Sequence, residues 1–110
     1  MSRYIVVITT TDNERTASRL AEELVKEQLV ACAQIFENVT SIYRWEGKIE
    51  KAKEFVLFLK TKKEIYKALE KRIRELHNYT TPEIIALPVE AGSKDYLDWL
   101  DSEVKNSLRA

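Results

Sequence analysis

Glycine and proline occur twice each, and cysteine and histidine once each, in this chain of 110 residues. A lone Cys32 excludes an intrachain disulfide framework and a cysteine-rich zinc site within one chain. Gly47 and Gly92 are isolated, so no glycine-rich loop can cradle a phosphate. Net charge is also missing: 18 Lys and Arg balance 18 Asp and Glu. No overall field therefore draws the chain to nucleic acid or to an anionic membrane. No apolar run approaches the roughly 18 residues of a membrane helix, and Met1-Ser2-Arg3 leads into a strand rather than a cleavable leader, which predicts a cytoplasmic protein. Nucleophilic catalysis has no frame either. There is no Gly-x-Ser-x-Gly, and nothing ties the lone histidine to Cys32 as a base. The expectation is a protein that is not an enzyme and has no obligatory cofactor.

Charge, by contrast, is abundant in both signs. Charged residues make up 33% of the chain, methionine occurs only at its start, and glutamine only at Gln28 and Gln34, a usage that predicts a thermostable protein held by ion-pair networks. The length allows one domain, residues 1–110, with a core of its own. Arg3 to Thr9 is a β-branched run covered on both faces. Thr11-Asp12-Asn13-Glu14 has the spacing of a capping box, and Ala17, Leu20, Ala21, Leu24, Val25 and Leu29 follow at helical period. Val30 to Phe36 is a strand, interrupted by a bend or bulge at Glu37-Asn38. Thr61-Lys62-Lys63-Glu64 repeats the capping spacing before a helix carrying Ile65, Leu69, Ile73 and Leu76, which Pro82 closes. Glu83 to Leu87 is a fourth strand ended by Pro88. Ser93 is the N-cap of a third helix with Tyr96, Leu97, Leu100 and Val104, and Asn106 to Ala110 frays.

The middle of the chain organises the rest. Ser41 to Ile49 reads as two strand ends meeting at a turn on Gly47, with Val39, Ser41, Tyr43 and Trp45 on one face. Twelve residues from Ile49 to Lys60 would span roughly 40 Å at about 3.3 Å each, against a compact diameter of about 34 Å for a domain of this length. Such a hairpin protrudes and exposes Tyr43 and Trp45, which a second copy of the chain would cover most economically. The order β-α-β-β-α-β plus a C-terminal helix is an α+β, ferredoxin-like plan with one antiparallel sheet. Its helices are expected on one face of that sheet, with the other face closed by assembly.

Five blocks in order carry a family resemblance: Leu29 to Ala33, Tyr43 to Ile49, Glu54 through Thr61, His77 with Tyr79 and Pro82-Glu83-Ile84, and Asp95 to Leu100. The chain resembles the CutA family of divalent-cation tolerance proteins. The resemblance implies a trimeric assembly of interlocking hairpins, a homotrimer in the cytoplasm, and a role in tolerance of copper and other divalent metal ions with copper binding. It also departs from the family pattern, since His77-Asn78-Tyr79-Thr80 stands where His-Pro-Tyr-Glu is common and Thr9 where some members have cysteine.

Candidate metal ligands are Cys32, the only soft donor, and His77, the only imidazole. Each has a plainer role open to it, Cys32 as a small buried hydrophobe and His77 as a residue favoured at a helix C-terminus. Tyr43 and Trp45 suit subunit packing or stacking on a ligand. Glu46, Lys60, Tyr79 and Glu83 are the other candidates for a cleft or interface, Lys60, Tyr79 and Glu83 lying near strand–helix junctions. The carboxylates Glu46, Glu50, Glu54, Glu83, Glu90, Asp95, Asp98 and Asp101 read chiefly as solvated faces. Two functions fit: a copper or other divalent-cation binding protein, or a signalling or scaffold trimer of PII-like architecture that holds a small effector or a protein partner.

Overall fold

The computed structural model describes residues 3–106. Its elements run β1 (Tyr4–Thr11), α1 (Glu14–Lys26), β2 (Cys32–Trp45), β3 (Lys48–Lys62), a short 3-10 turn (Lys63–Ile65), α2 (Tyr66–Leu76), β4 (Ile84–Pro88) and α3 (Lys94–Glu103). The four strands form one sheet in the order β2-β3-β1-β4, antiparallel throughout. This is the expected ferredoxin-like arrangement. Ile5, Val7, Thr9 and Thr11 alternate along β1 and face α1 and α2, opposite Thr61, Leu59, Leu57 and Phe55 of β3. Leu20 and Leu24 of α1 and Leu69 and Ile73 of α2 close over Val7, Leu57 and Leu59 with no exposed surface. At about 1.5–3 kcal/mol for each such side chain, this layer is the main source of stability.

The opposite face of the sheet is covered at one end only, and there the expectation of all helices on one face fails. Cys32 pairs with Lys60 across the β2–β3 ladder, and α3 lies against that face. The Tyr96 hydroxyl sits 3.9 Å from Cys32 Sγ, and Lys60 Nζ lies 5.7 Å from the centre of the Tyr96 ring. Lys62 is fully buried there, donating to Asp101 Oδ1 at 3.0 Å and Asn106 Oδ1 at 3.3 Å. Asn106, expected to fray, is thus a partner of a buried ammonium, while 107–110 lie outside the described residues. Arg3 shares Asp101 at 3.0 Å. These two cations hold the Asp101 carboxyl below the usual range, the Lys62 hydrogen bond contributing most. Beyond α3 the same face carries Phe36, Ile85 and Leu87, all substantially exposed.

Neither expected capping box forms, and the second helical segment has no side-chain cap. Thr11 and Thr61 stay in their strands, and Asn13 is the cap that accepts from the Thr16 amide at 2.8 Å. Thr11 Oγ1 instead donates to Asn78, and Thr61 Oγ1 to the Leu29 carbonyl at 2.7 Å. The first helix also ends at Lys26, so Leu29 is buried from a turn, with Gln28 at φ 60°, and Val25 faces out. Ser93 stands at the N-cap position of α3 without a capping bond from its side chain.

The hairpin is as long as expected: β2 has 14 residues, β3 has 15, and the molecule extends 44 Å along its longest axis. Trp45 pairs with Lys48 around a two-residue turn in which Glu46 and Gly47 both have positive φ, 50° and 81°. That is the twist a hairpin of right-handed strands requires. The register slips between Phe36, opposite Val56, and Val39, opposite Glu54, which places the expected bulge at Glu37-Asn38 with Asn38 at φ 60°.

Candidate functional site

Below the hairpin arm the sheet and the segment between α2 and β4 enclose an open cleft of about 770 Å³. The β2–β3 register sets Ser41, Tyr43 and Trp45 on one face with Ala52, Glu50 and Lys48, and the same face continues through Glu54 to Val56 and, across β1, to Thr10. Ser41, Tyr43, Trp45, Glu50, Glu54 and Thr10 form one wall, and Asn78 to Thr81 with Glu83 form the other. Asn78 ties the second wall down: it accepts from Thr11 Oγ1 at 2.6 Å and donates to Asp12 Oδ1 at 3.0 Å.

His77 reinforces that tether. The Tyr79 amide donates to Nδ1 at 3.0 Å, so Nδ1 is the unprotonated nitrogen, and Nε2–H donates to the Thr10 carbonyl at 2.8 Å. Burial holds the imidazole below its ordinary pKa, opposed by the Thr10 carbonyl and by the charges of Asp12 and Glu54. Tyr79 in turn donates its hydroxyl to Glu54 Oε2 at 2.7 Å. Burial and the Glu54 carboxylate together raise the Tyr79 hydroxyl above its usual range. Glu83 is raised as well, by desolvation in the cleft and then by Glu54. Glu54 itself is only 8% exposed. It was expected on a solvated face, and its burial depends on Tyr79 folding over it from 25 residues away.

Of the predicted site residues, Tyr43, Trp45, Tyr79 and Glu83 meet in this cleft. Glu46 sits in the exposed hairpin turn. Lys60 and Cys32 lie under α3 instead. Cys32 is opposite Lys60 while the Thr10 carbonyl that holds His77 is opposite Val56, four positions further, or about 13 Å along β3. Cys32 and His77 therefore form no chelating pair within one chain, and both nitrogens of His77 are already bonded. Among the described residues no group of three or more His, Cys, Asp or Glu is placed to hold a metal ion. The residues sequence reasoning missed are Glu54, Glu50, Ser41, Thr10 and Asn78. For Glu50 and Glu54 the alternation with Ala52, Val56 and Phe58 signals the shared face, though not the burial of Glu54.

Among the described residues no helix is long and apolar enough to cross a membrane. Residues 5–103 match the family model of the CutA1 divalent ion tolerance protein. The divalent-cation tolerance protein CutA of Thermus thermophilus is 44% identical over 95 residues, 86% of this chain and 92% of the relative. The chloroplastic protein CutA of Arabidopsis thaliana is 38% identical over 102 residues, 93% of this chain but 56% of that longer protein. The crystal structure of CutA1 from Oryza sativa superposes with a TM-score of 0.93 at 37% identity, covering 96% of this chain and 97% of its own. Fold and sequence agree over most of the chain, which belongs to the CutA1 family of divalent ion tolerance proteins.

Proposed function

We propose that this chain serves divalent-ion tolerance as a cytosolic homotrimer that acts by binding rather than by catalysis. The observation that carries the assembly is the bare hairpin: Ile42, Tyr43, Trp45 and Ile49 are 63%, 43%, 51% and 65% exposed, and Phe36, Ile85 and Leu87 leave an apolar sheet face beside it. Neighbouring copies bury these surfaces. In this reading copper or another divalent cation is the ion bound, and a site using Cys32 or His77 takes its remaining ligands from another copy. His77 joins only by giving up the bond from the Tyr79 amide.

The second reading is an effector-binding trimer of PII-like architecture, and the cleft favours it, because its volume falls within the range of small-molecule sites. Native mass spectrometry of protein purified without a metal-affinity tag tests both, recorded before and after stoichiometric Cu²⁺ and Zn²⁺. A trimer that gains a defined number of ions, fewer in His77→Ala or Cys32→Ala, is the expected result for the first reading. A trimer that retains no metal leaves the second, and a monomer overturns both.

A further inference from the structure

The cleft is charged out of proportion to the chain. Three of its lining residues are carboxylates, Glu50, Glu54 and Glu83, three are aromatic, Tyr43, Trp45 and Tyr79, and none is Lys, Arg or His, in a protein whose charges balance overall at 18 and 18. Glu54 is more than nine-tenths buried, yet Tyr79 supplies its only hydrogen bond among the described residues, through Oε2. None of the ion pairs among those residues includes Glu50, Glu54 or Glu83. A buried carboxylate without a cation is costly unless something supplies one. The opposite solution stands at the other end of the sheet, where buried Lys62 has Asp101.

We propose that the cleft binds a small organic cation carrying ammonium or guanidinium groups, with Glu54 and Glu83 as its counter-charges, Tyr79 as its inner wall, and Tyr43 and Trp45 as the wall on the side where a neighbouring copy closes it. The proposal rests on the effector-binding reading and names the ligand class for it. Aromatic faces attract such cations and exclude the water that would screen them. An inorganic ion gains nothing comparable from these rings, and the carboxylates form no metal-holding group. The open shape of the cleft suits an extended amine better than a compact ion.

Titration calorimetry with spermidine and with agmatine, on wild type, Glu54→Gln, Glu83→Gln and the remote control Glu22→Gln, tests this. Melting curves first confirm that the variants fold. Saturable binding is expected, weakened at least about tenfold by Glu54→Gln, less by Glu83→Gln, and unchanged by Glu22→Gln. Binding indifferent to Glu54→Gln overturns the proposal. So does binding of Zn²⁺ alone that Glu54→Gln abolishes, which assigns the cleft to an inorganic ion. If neither amine binds and Glu54→Gln instead lowers the oligomer mass on dilution, a basic side chain of a second copy fills the cleft and the free-ligand proposal falls. ADP serves as an anionic probe in parallel. Its saturable binding without either amine keeps the effector reading and sinks the cation; no binding of any probe sinks both.

Discussion

His77 is the one imidazole in the chain, so a single titration curve reports its surroundings. Its folded pKa lies below the ordinary value near 6.5, chiefly through burial. The unfolded chain therefore takes up this proton more readily than the folded one. The stability His77 contributes is complete above about pH 6.5 and is lost as pH falls through the folded value. Nitrogen-15 NMR of the ring should show the Nε2–H tautomer and a midpoint below 6.5. A midpoint above 6.5, or the other tautomer, contradicts the two bonds to Thr10 and Tyr79. In the native chain His77 is a positioning residue: it fixes the turn that brings Tyr79 over Glu54.

At the scale of elements, the hairpin turn offers the sharpest test. Gly47 has φ 81° with no atom within 4 Å of where a Cβ would stand, so Gly47→Ala meets no clash and isolates the backbone cost. A loss of about 1–2 kcal/mol in urea unfolding is expected, and an unchanged midpoint would show that the turn can relax. The hairpin and its bulge were legible because alternation, a glycine and an Asn are local signals. The helix starts were misread for the converse reason. Thr11 and Thr61 have the right neighbours for caps, but ladder pairing with Phe55 and Ile5 holds them extended. The aromatic half of the cleft could be read from the strand, whereas the burial of Glu54 could not. It requires Tyr79 to return from the far side of α2, a long-range contact that no periodicity encodes. The side of the sheet chosen by α3 was hidden likewise, since it is set by Tyr96 against Cys32 and Lys60 and by Asp101 against Lys62.

For the whole molecule, in the trimer proposed above, the exposed hairpin ties stability to concentration. Trp45→Ala should weaken the trimer by about 2 kcal/mol or more per interface if the indole is a central contact, read as dissociation on dilution in mass photometry. An unchanged trimer would move the contact to Phe36, Ile85 and Leu87. The bulge then acquires a geometric meaning. Between Phe36 and Val39 one strand advances three residues while its partner advances two, from Val56 to Glu54. A ribbon with one edge longer by about 3.3 Å cannot stay straight. Like a bonded strip of two metals that expand unequally, it curves away from its longer edge. The heading of the hairpin, and with it the angle at which copies of the chain would meet in the proposed trimer, is set by the surplus length of a single residue.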